Sequence, residues 1–327
     1  MDTLTEKIRK TAAQLLAEGT ADVIIGYETG TIALRSGILF ARDASAVDRL
    51  VFDVTCGANL ARYLLKEKLP LKDSKEQKTE KIALLAKGCD GRAAVELIVE
   101  GQISREDIII VGIPCSGVID PNKVRSKLDG KEVLECKVEG ENLLLKGENY
   151  EENIPLKDVL SNSCLCCRHS VPPVYDILLD EPGQGTPRDS ESSTADALES
   201  RGPDERWAFF EQEFSKCIRC YACRNACPVC YCHDCFIDQN DPQWFGKSTD
   251  LVDTIAFHTT RALHTAGRCV SCGACVRACP MGVDLLALSG RAEKEMRERF
   301  GCEAGMNLDE TPGLTDFKEE DPQEFIL

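Results

Sequence analysis

Short apolar runs alternate with turn-forming residues and helical stretches along the first part of the chain. Four runs rich in Ile, Leu and Val, at 22–27, 50–54, 81–87 and 107–112, predict strands. The last two each end in a Gly-containing turn, and a predicted helix over 93–100 lies between them. This strand–helix–strand order predicts an α/β domain with a mainly parallel sheet.

Caps and turns predict further elements of this domain. Thr3 and Glu6 have the spacing of a capping box at the start of an amphipathic helix. Another helix is predicted over 58–65. The apolar segments 133–138 and 142–146 flank a Glu-Gly-Glu turn and predict a β-hairpin.

Composition changes over 182–205, where Pro, Gly, Ser, Thr, Asp and Glu dominate. Such a segment has little apolar surface to bury, so it predicts a flexible linker and a domain boundary. The chain then divides into an α/β domain at 1–181, a second domain at 206–290 and an acidic extension at 291–327. A helix predicted over 251–266 indicates that the second domain is mostly α-helical.

Two cysteine runs dominate the second domain, and each reads C-x2-C-x2-C-x3-C-P. In two-cluster ferredoxins, the fourth cysteine of this pattern ligates the cluster that the other run holds. Zinc sites use paired cysteines, and disulfides need an oxidising compartment, so both alternatives fit less well. The spacing predicts two 4Fe-4S clusters, one on Cys217, Cys220, Cys223 and Cys279, and one on Cys269, Cys272, Cys275 and Cys227.

Charge and composition narrow the class of function. The 327 residues include 55 acidic and 39 basic side chains, and the net charge of −16 argues against a nucleic-acid partner. The chain starts without a signal-peptide pattern, and no apolar run approaches the ~20 residues that span a membrane. Nineteen cysteines without an export signal indicate a reducing cytoplasm. Oxygen-sensitive clusters favour an anaerobic host.

Six cysteines of the α/β domain stand at predicted turns or strand ends. Loops at the carboxyl ends of parallel strands form the usual ligand site of such a sheet, so a third 4Fe-4S cluster is predicted there. The alternative is a set of buried, inert thiols. The preferred ligands are Cys56, Cys115, Cys164 and Cys167, and Cys89 and Cys166 complete the six.

A further group follows the first cysteine run. Cys230, Cys232 and Cys235 fall within six residues, a spacing that suits either another cluster or a local packing and redox role. His258 and His264, on the helix before the second run, are predicted to be packing or surface residues.

Short motifs of the α/β domain carry a family resemblance. Gly88-Cys89-Asp90-Gly91 opens a helix, Val111 to Cys115 ends a strand, and Cys164 to Cys167 precedes Tyr175-Asp176. On these motifs, residues 81–183 resemble the β-subunit family of coenzyme F420-reducing hydrogenase and dehydrogenase. The resemblance implies an FAD and a 4Fe-4S cluster that exchange electrons with a hydride carrier. It places the flavin near Gly88, Cys89, Asp90, Gly91 and Arg92, and a helix start also suits a phosphate.

The second domain is similar to other cluster proteins. Because a long helix leads into the second run, residues 206–288 resemble the two-cluster ferredoxin subunit of heterodisulfide reductase and the iron–sulfur subunit of succinate dehydrogenase. The chain departs from the β-subunit family by carrying this module at its carboxyl end. F420, NAD(P)H and no diffusible hydride carrier therefore stay equally open.

These features predict an iron–sulfur electron-transfer subunit of a cytoplasmic multi-subunit oxidoreductase, with chemistry supplied by cofactors. The expected partners are other redox subunits, such as a hydrogenase, a dehydrogenase or a heterodisulfide reductase-like protein. Two alternatives stay open. One is a flavin-dependent dehydrogenase that acts by itself on F420 or NAD(P)H, and the other is a non-catalytic electron conduit or docking scaffold.

The third cluster has a direct test. Replacing Cys164 and Cys167 with Ser should lower iron content by about four atoms per chain, because a 4Fe-4S cluster that loses two thiolates is not retained. Iron analysis of anaerobically purified protein measures the change. The same iron content in the variant would contradict the third cluster.

Overall fold

The structure is a computed structural model that describes residues 3–65, 80–181, 194–315 and 319. Two 3-10 helices, Leu60–Leu64 and Arg105–Asp107, accompany the main elements. In chain order those elements are α1 Leu4–Ala17, β1 Val23–Ile32, β2 Arg35–Ala41, α2 Ala44–Val47, β3 Leu50–Val51, β4 Ile82–Ala86, α3 Gly88–Val99, β5 Ile108–Gly112, α4 Pro121–Lys127, β6 Glu135–Glu139, β7 Asn142–Lys146, β8 Glu151–Pro155, α5 Leu156–Val159, α6 Asn162–Leu165, β9 Ile177–Leu178, α7 Thr194–Glu199, α8 Pro203–Ser215, α9 Ala222–Ala226, α10 Leu251–Thr265, α11 Ala274–Ala278 and α12 Leu286–Phe300.

The central sheet has the strand order β2-β1-β4-β5-β9, and β3 pairs with β1. Strands β1, β4, β5 and β9 run parallel, whereas β2 and β3 pair antiparallel with β1. Every residue of β4 is buried, as expected of an inner parallel strand. The predicted α/β domain with a mainly parallel sheet is confirmed.

Short sequence motifs correctly predicted the start of α1 and the hairpin. Helix α1 begins with the predicted capping box, in which the Thr3 side chain accepts from the Glu6 amide at 3.3 Å. Gly19, at φ 66°, follows the end of the helix in the left-handed conformation that suits glycine. The predicted hairpin is present as β6 and β7, and β8 adds an unpredicted third strand.

Two predicted elements of the α/β domain are shorter in the structure, and β2 was not predicted. The strand at 50–54 is reduced to the two residues of β3, because Asp53 accepts from the Thr55 amide at 2.7 Å and forms a turn. The helix predicted over 58–65 is the 3-10 helix Leu60–Leu64.

Helices α8 to α12 make the second domain mostly helical, as predicted. The apolar Leu263 of α10 lies at the surface and is 66% exposed. The buried residues of α10 are largely polar: Thr254, Phe257, His258, Arg261, Ala262 and Thr265. This polar face lies toward the cysteine runs.

The end of the predicted linker is ordered. Residues 182–193 lie outside the described part of the chain, but Thr194–Glu199 is helical and its Ala195 and Leu198 are buried. Lys294 of α12 pairs with Asp196 at 2.7 Å and with Glu199 at 2.8 Å. The flexible-linker prediction is therefore wrong for this stretch.

The first part of the predicted acidic extension belongs to α12 and is partly buried. Glu293 and Met296 lie in its buried face. The carboxyl-terminal tail beyond 315 lies outside the described residues, except for residue 319. Among the described helices, none has both the length and the apolar character needed to cross a lipid bilayer.

The second domain is packed against the α/β domain. Arg277 of α11 donates to the Gly57 carbonyl at 2.6 Å. Arg92 of α3 donates to the Ala304 carbonyl at 2.7 Å, and Ala304 is part of the α/β core. The second domain is therefore held by buried hydrogen bonds, while the exact domain boundaries stay a prediction.

Removing the Arg92 contact should loosen the segment at 301–306. An Arg92→Met variant keeps most of the stem but leaves the Ala304 carbonyl without a charged donor, which costs about 2 kcal/mol. Local opening should rise roughly thirtyfold. The Gly305 amide, which donates to the Glu96 carboxylate, reports this opening by hydrogen exchange.

The matched control is Arg125→Met, since Arg125 is exposed on α4. The control should exchange like the parent protein. Equal Gly305 exchange in both variants would show that the Arg92 contact does not hold the segment.

Candidate iron–sulfur centres

The two cysteine runs have the same local fold. Arg219 and Tyr221 of the first run have φ angles of 56° and 59°, and Ser271 and Gly273 of the second have 52° and 70°. Left-handed residues other than glycine are uncommon, so their match at corresponding positions marks a shared loop geometry. The short helices α9 and α11 follow these loops and carry the third cysteine of each run.

Backbone amides of these loops face the first cysteine of each run. The Arg219 N–H donates to Cys217 Sγ at 3.4 Å, and the Ser271 N–H donates to Cys269 Sγ at 3.4 Å. Hydrogen bonds to a thiolate favour its charged form, which is the form that ligates iron. The folded loops therefore prepare both sulfurs for a cluster.

The four ligands predicted for the first cluster line a single cavity. Cys217, Cys220 and Cys223 come from the first run, and Cys279 comes from the end of the second. The apolar side chains of Phe257, Met281, Val283 and Leu285 line the same cavity. A thiol-rich, mostly apolar pocket fits a 4Fe-4S cluster.

The four ligands predicted for the second cluster are also close to one another. Burial is the main cause that raises the pKa of Cys269. The thiols of Cys227, Cys272 and Cys275 act on the Cys269 pKa in the same direction. Thiolates that repel one another in a buried site fit a centre whose iron ions would supply the compensating charge.

Among the described residues, no three His, Cys, Asp or Glu side chains converge tightly enough to hold a single metal ion.

A buried cation lies between the two sets of cysteines. Arg261 of α10 is 6% exposed, and its Nη2 group lies 3.4 Å from the Cys223 carbonyl. Although burial opposes charging, neighbouring thiolates, first Cys275 and then Cys227, raise the pKa of Arg261. Burial raises the pKa of Cys223 to about 12, and the thiol of Cys275 acts in the same direction. The two predicted clusters are therefore neighbours.

His258 contacts the first cluster site, a role that the sequence did not indicate. Its Nε2 lies 3.3 Å from Cys217 Sγ, and its ring stacks on Phe214 with centroids 4.8 Å apart. Burial, followed by the charges of Arg261 and Arg219, lowers the pKa of His258 to about 3. The imidazole is therefore neutral in the metal-free chain. Polar residues at helical spacing on α10, at 254, 258, 261 and 265, were the available signal.

In the α/β domain, Cys89 lies close to two other cysteines. Burial raises the pKa of Cys89, followed by the Asp90 carboxylate. The thiols of Cys272 and Cys115 raise the same pKa further. Cys89, which was left out of the predicted third ligand set, thus connects Cys115 with the second cluster site.

The C-x2-C pair lies in the same region. Cys164 Sγ accepts from the Val118 amide at 3.4 Å, and its charge is the first that raises the pKa of buried Arg277, against the opposing effect of burial. The charges of Cys272 and Cys89 also raise the pKa of Arg277.

Two backbone contacts bring further cysteines to this region. Cys167 Sγ lies 3.4 Å from the His169 carbonyl. The amide of Cys115 donates to the Ser170 carbonyl at 3.0 Å.

Cys56 has different neighbours from those expected of a cluster ligand. It is fully buried, and its Sγ accepts from the Asp53 amide at 3.4 Å. Burial raises the pKa of Cys56 to about 12, with a smaller contribution from Asp53 in the same direction. Other cysteines thus affect the pKa of Cys89, whereas none is among the named causes for the pKa of Cys56.

The segment Gly88 to Arg92 does not fit the predicted flavin. A Cβ atom on Gly88 would lie 2.0 Å from the His169 carbonyl oxygen, and one on Gly91 would lie 2.5 Å from Pro172 Cβ. Asp90 is fully buried and accepts from the Lys87 amide at 3.0 Å. The start of α3 is thus covered by the protein's own backbone, and an Asp carboxylate stands where a phosphate would bind.

The three cysteines after the first run face different surroundings. A hydrogen bond from Cys230 lowers the pKa of Cys227, although burial opposes this shift. Cys232 is exposed, while Cys235 hydrogen-bonds the Arg224 guanidinium. A shared cluster on these three cysteines stays a prediction.

A cavity of about 180 Å³ lies between the α/β domain and the second domain. Ala226, Ala274 and Ala278, each next to a predicted cluster ligand, form one side of it. Its other described lining residues include no Asp or Glu, although the whole chain carries a net charge of −16. The basic lining residues are Arg35, Arg62 and Arg277. An anionic ligand suits this lining.

Comparison with known proteins first defines the class of the second domain. Residues 213–283 match the family model of the 4Fe-4S dicluster domain. The chain is therefore an iron–sulfur protein with a domain built to carry two such clusters.

The whole chain is similar to particular subunits. It is 24% identical over 288 residues to the β subunit of an F420-dependent formate dehydrogenase from Methanocaldococcus jannaschii, covering 70% of this chain and 74% of that protein. It is 23% identical to the β subunit of F420-dependent formate dehydrogenase 1 from Methanococcus maripaludis, covering 92% and 90%. The resemblance predicted from the α/β motifs is confirmed.

A solved structure gives a more distant match. A chain of the F420-reducing [NiFe] hydrogenase complex from Methanosarcina barkeri aligns with a TM-score of 0.38 at 14% identity, covering 57% of this chain and 68% of that chain.

Ligation across the two runs can be tested by one substitution. Cys279→Ala removes a residue of the second run but should abolish the cluster of the first run, lowering iron by about four atoms per chain. Electron paramagnetic resonance should still show the cluster on Cys269, Cys272 and Cys275. Cys232→Ala, at an exposed cysteine, is the control and should keep all of the iron. Loss of the other cluster instead would contradict the cross-ligation.

Proposed function

We propose that this protein is the iron–sulfur electron-transfer subunit of a multi-subunit oxidoreductase, through which single electrons pass between a hydride-handling site and a redox partner. The observation that carries the proposal is the placement of two neighbouring sets of four cysteines, each drawn from both runs. The relatives named as β subunits of formate dehydrogenases support the same role.

Electrostatic neighbours support a linear order of centres. After burial, the charge of Cys272 of the second cluster contributes to the raised pKa of Cys89, and the charge of Cys275 contributes to the raised pKa of Cys223 of the first cluster. Cys220 of the first cluster is exposed. Electrons would therefore travel between the α/β domain and the surface at Cys220, by way of the second cluster and then the first.

The surface beside the first cluster suits a redox partner. Ile218 is 51% exposed and Met281 is 43% exposed, and both flank ligands of that cluster. Large apolar side chains exposed together are typical of protein interfaces. We assign this face to another redox subunit, such as the catalytic subunit of a dehydrogenase or hydrogenase.

A third 4Fe-4S cluster belongs to the proposal. Its supporting observation is the gathering of cysteines between α3, β5 and α6, next to the second cluster. In the α/β domain Cys89 replaces Cys56 as the better candidate ligand. The proposed set is Cys89, Cys115, Cys164 and Cys167.

The basic lining of the cavity between the domains suits the phosphates of a flavin better than Gly88 to Arg92 does, although its volume of about 180 Å³ is too small for a whole FAD. When bound, a flavin converts a two-electron hydride transfer into single-electron steps. Arg35 and Arg62 would pair with its phosphates. The carrier F420, named for the relatives, or NAD(P)H would be the hydride donor or acceptor.

Iron, sulfide and flavin content test this proposal. Anaerobically purified protein should contain about twelve iron atoms per chain, that is, three 4Fe-4S clusters. A single flavin per chain would support the cavity site, and its loss in an Arg35→Gln, Arg62→Gln double variant would locate it there. Arg125→Gln is the matched control. About eight iron atoms and no flavin per chain would contradict the third cluster and the flavin, and would leave a non-catalytic electron conduit as the function.

A second measurement separates the remaining functions. The purified chain should reduce a one-electron dye with reduced F420 or NAD(P)H only if it carries its own hydride site. Dye reduction that requires an added partner subunit would restrict this chain to electron transfer. Iron content at the level of an empty protein would overturn the electron-transfer proposal itself. The reducing cytoplasm stays the predicted location.

A further inference from the structure

We propose that His258 donates a hydrogen bond to Cys217 Sγ and thereby gives the first cluster a higher reduction potential than the second. This inference rests on the proposed electron-transfer function, since it concerns the two clusters of that path. It assigns a tuning role to a residue that holds no iron itself.

The geometry fixes which atoms take part. His258 Nε2 lies 3.3 Å from Cys217 Sγ, which is within hydrogen-bond range for sulfur. The ring is held from two sides, stacked on Phe214 with centroids 4.8 Å apart and edge-on to Phe257 at 4.9 Å. Only 4% of the residue is exposed, so water does not compete for the contact.

The tautomer follows from the surroundings. Among the described residues, Nδ1 of His258 has no hydrogen-bond partner. The only hydrogen-bond neighbour of the ring among the described residues is therefore Cys217 Sγ at Nε2. If the single proton were on Nδ1, the Nε2 lone pair would face the negative sulfur of a cluster-bound Cys217. A proton on Nε2 instead gives an N–H···S hydrogen bond, so this is the stable form.

The corresponding cysteine of the second run has no such donor among the described residues. Cys217 and Cys269 each receive one loop amide at 3.4 Å, from Arg219 and Ser271. Only Cys217 receives an imidazole in addition. Because the two loops are otherwise alike, His258 is a specific difference between two similar sites.

The effect on potential follows from charge. Reduction adds one electron to the cluster, and part of that charge resides on the cysteine sulfurs. A hydrogen-bond donor to sulfur therefore stabilises the reduced state more than the oxidised state and raises the potential. Electrons would then pass favourably from the second cluster to the first and toward the exposed face at Cys220.

The test is a redox titration of the full chain with its clusters loaded, followed by electron paramagnetic resonance. A His258→Phe variant keeps an aromatic ring for stacking but removes the donor. At the midpoint of the parent first cluster, the ratio of reduced to oxidised cluster should fall about tenfold, which is 59 mV for a one-electron couple. The second cluster should keep its potential.

Two further variants make the result specific. His258→Gln places an amide N–H near the position of Nε2 and should restore most of the potential. His264→Phe, at an exposed position on the same helix, should leave both potentials unchanged. Should the Phe variant fail to load iron, His258→Met against His258→Gln gives the same comparison between a donor and a non-donor.

An independent readout detects the hydrogen bond itself. With 15N-labelled histidine, pulsed electron paramagnetic resonance of the first cluster should show a nitrogen coupling that His258→Phe loses. Unchanged potential and coupling in a fully loaded variant would overturn the inference while leaving the electron-transfer proposal intact. Missing iron in the parent protein would instead contradict the proposal on which it rests.

Discussion

The rest of the structure depends on the burial of many like-charged sulfurs in one small volume. Thiolates are costly to place in a low-dielectric interior unless positive charge accompanies them. Iron supplies most of that charge, and two buried arginines, Arg261 and Arg277, stand among the thiols of neighbouring sites. Because the compensating ions are bound only after folding has gathered their ligands, cluster loading and folding of the second domain are coupled.

This constraint explains why α10 buries polar residues. A helix packed only by leucines would leave the thiolates without donors or cations. Its inward face instead carries His258, Arg261 and two threonines, while Leu263 lies at the surface. The same demand appears in the α/β domain, where Lys87, fully buried, pairs with Asp90 at 2.8 Å beside Cys89. Charged side chains here do the packing that apolar side chains do in an ordinary core.

The sequence was sufficient to predict features that depend on residues close together in the chain. The apolar runs with the capping box predicted the parallel sheet and α1. Cysteine spacing predicted two ligand sets that stay predictions, and the four cysteines of the first set line one cavity. The sequence was insufficient to predict features that depend on contacts between residues far apart in the chain. Nothing local distinguishes Cys89 from Cys56 as a neighbour of Cys115, because their separation depends on how α3 packs against 169–172. The Gly88 turn resembled a phosphate site until the backbone that covers it was known. The linker prediction failed at Thr194–Glu199, because a polar helix can be held by ion pairs to α12.

The contact of Arg92 with Ala304 joins residues 212 positions apart in the chain. Helix α3, in the first domain, therefore acquires this contact only after residue 304 has left the ribosome. Domains commonly fold in order during synthesis, but this one needs a segment more than 200 residues downstream to complete the surroundings of α3. An interval follows in which the cysteines near α3 are still accessible. The iron-delivery machinery of the cell would have that interval to reach them before the carboxyl-terminal segment closes over the helix.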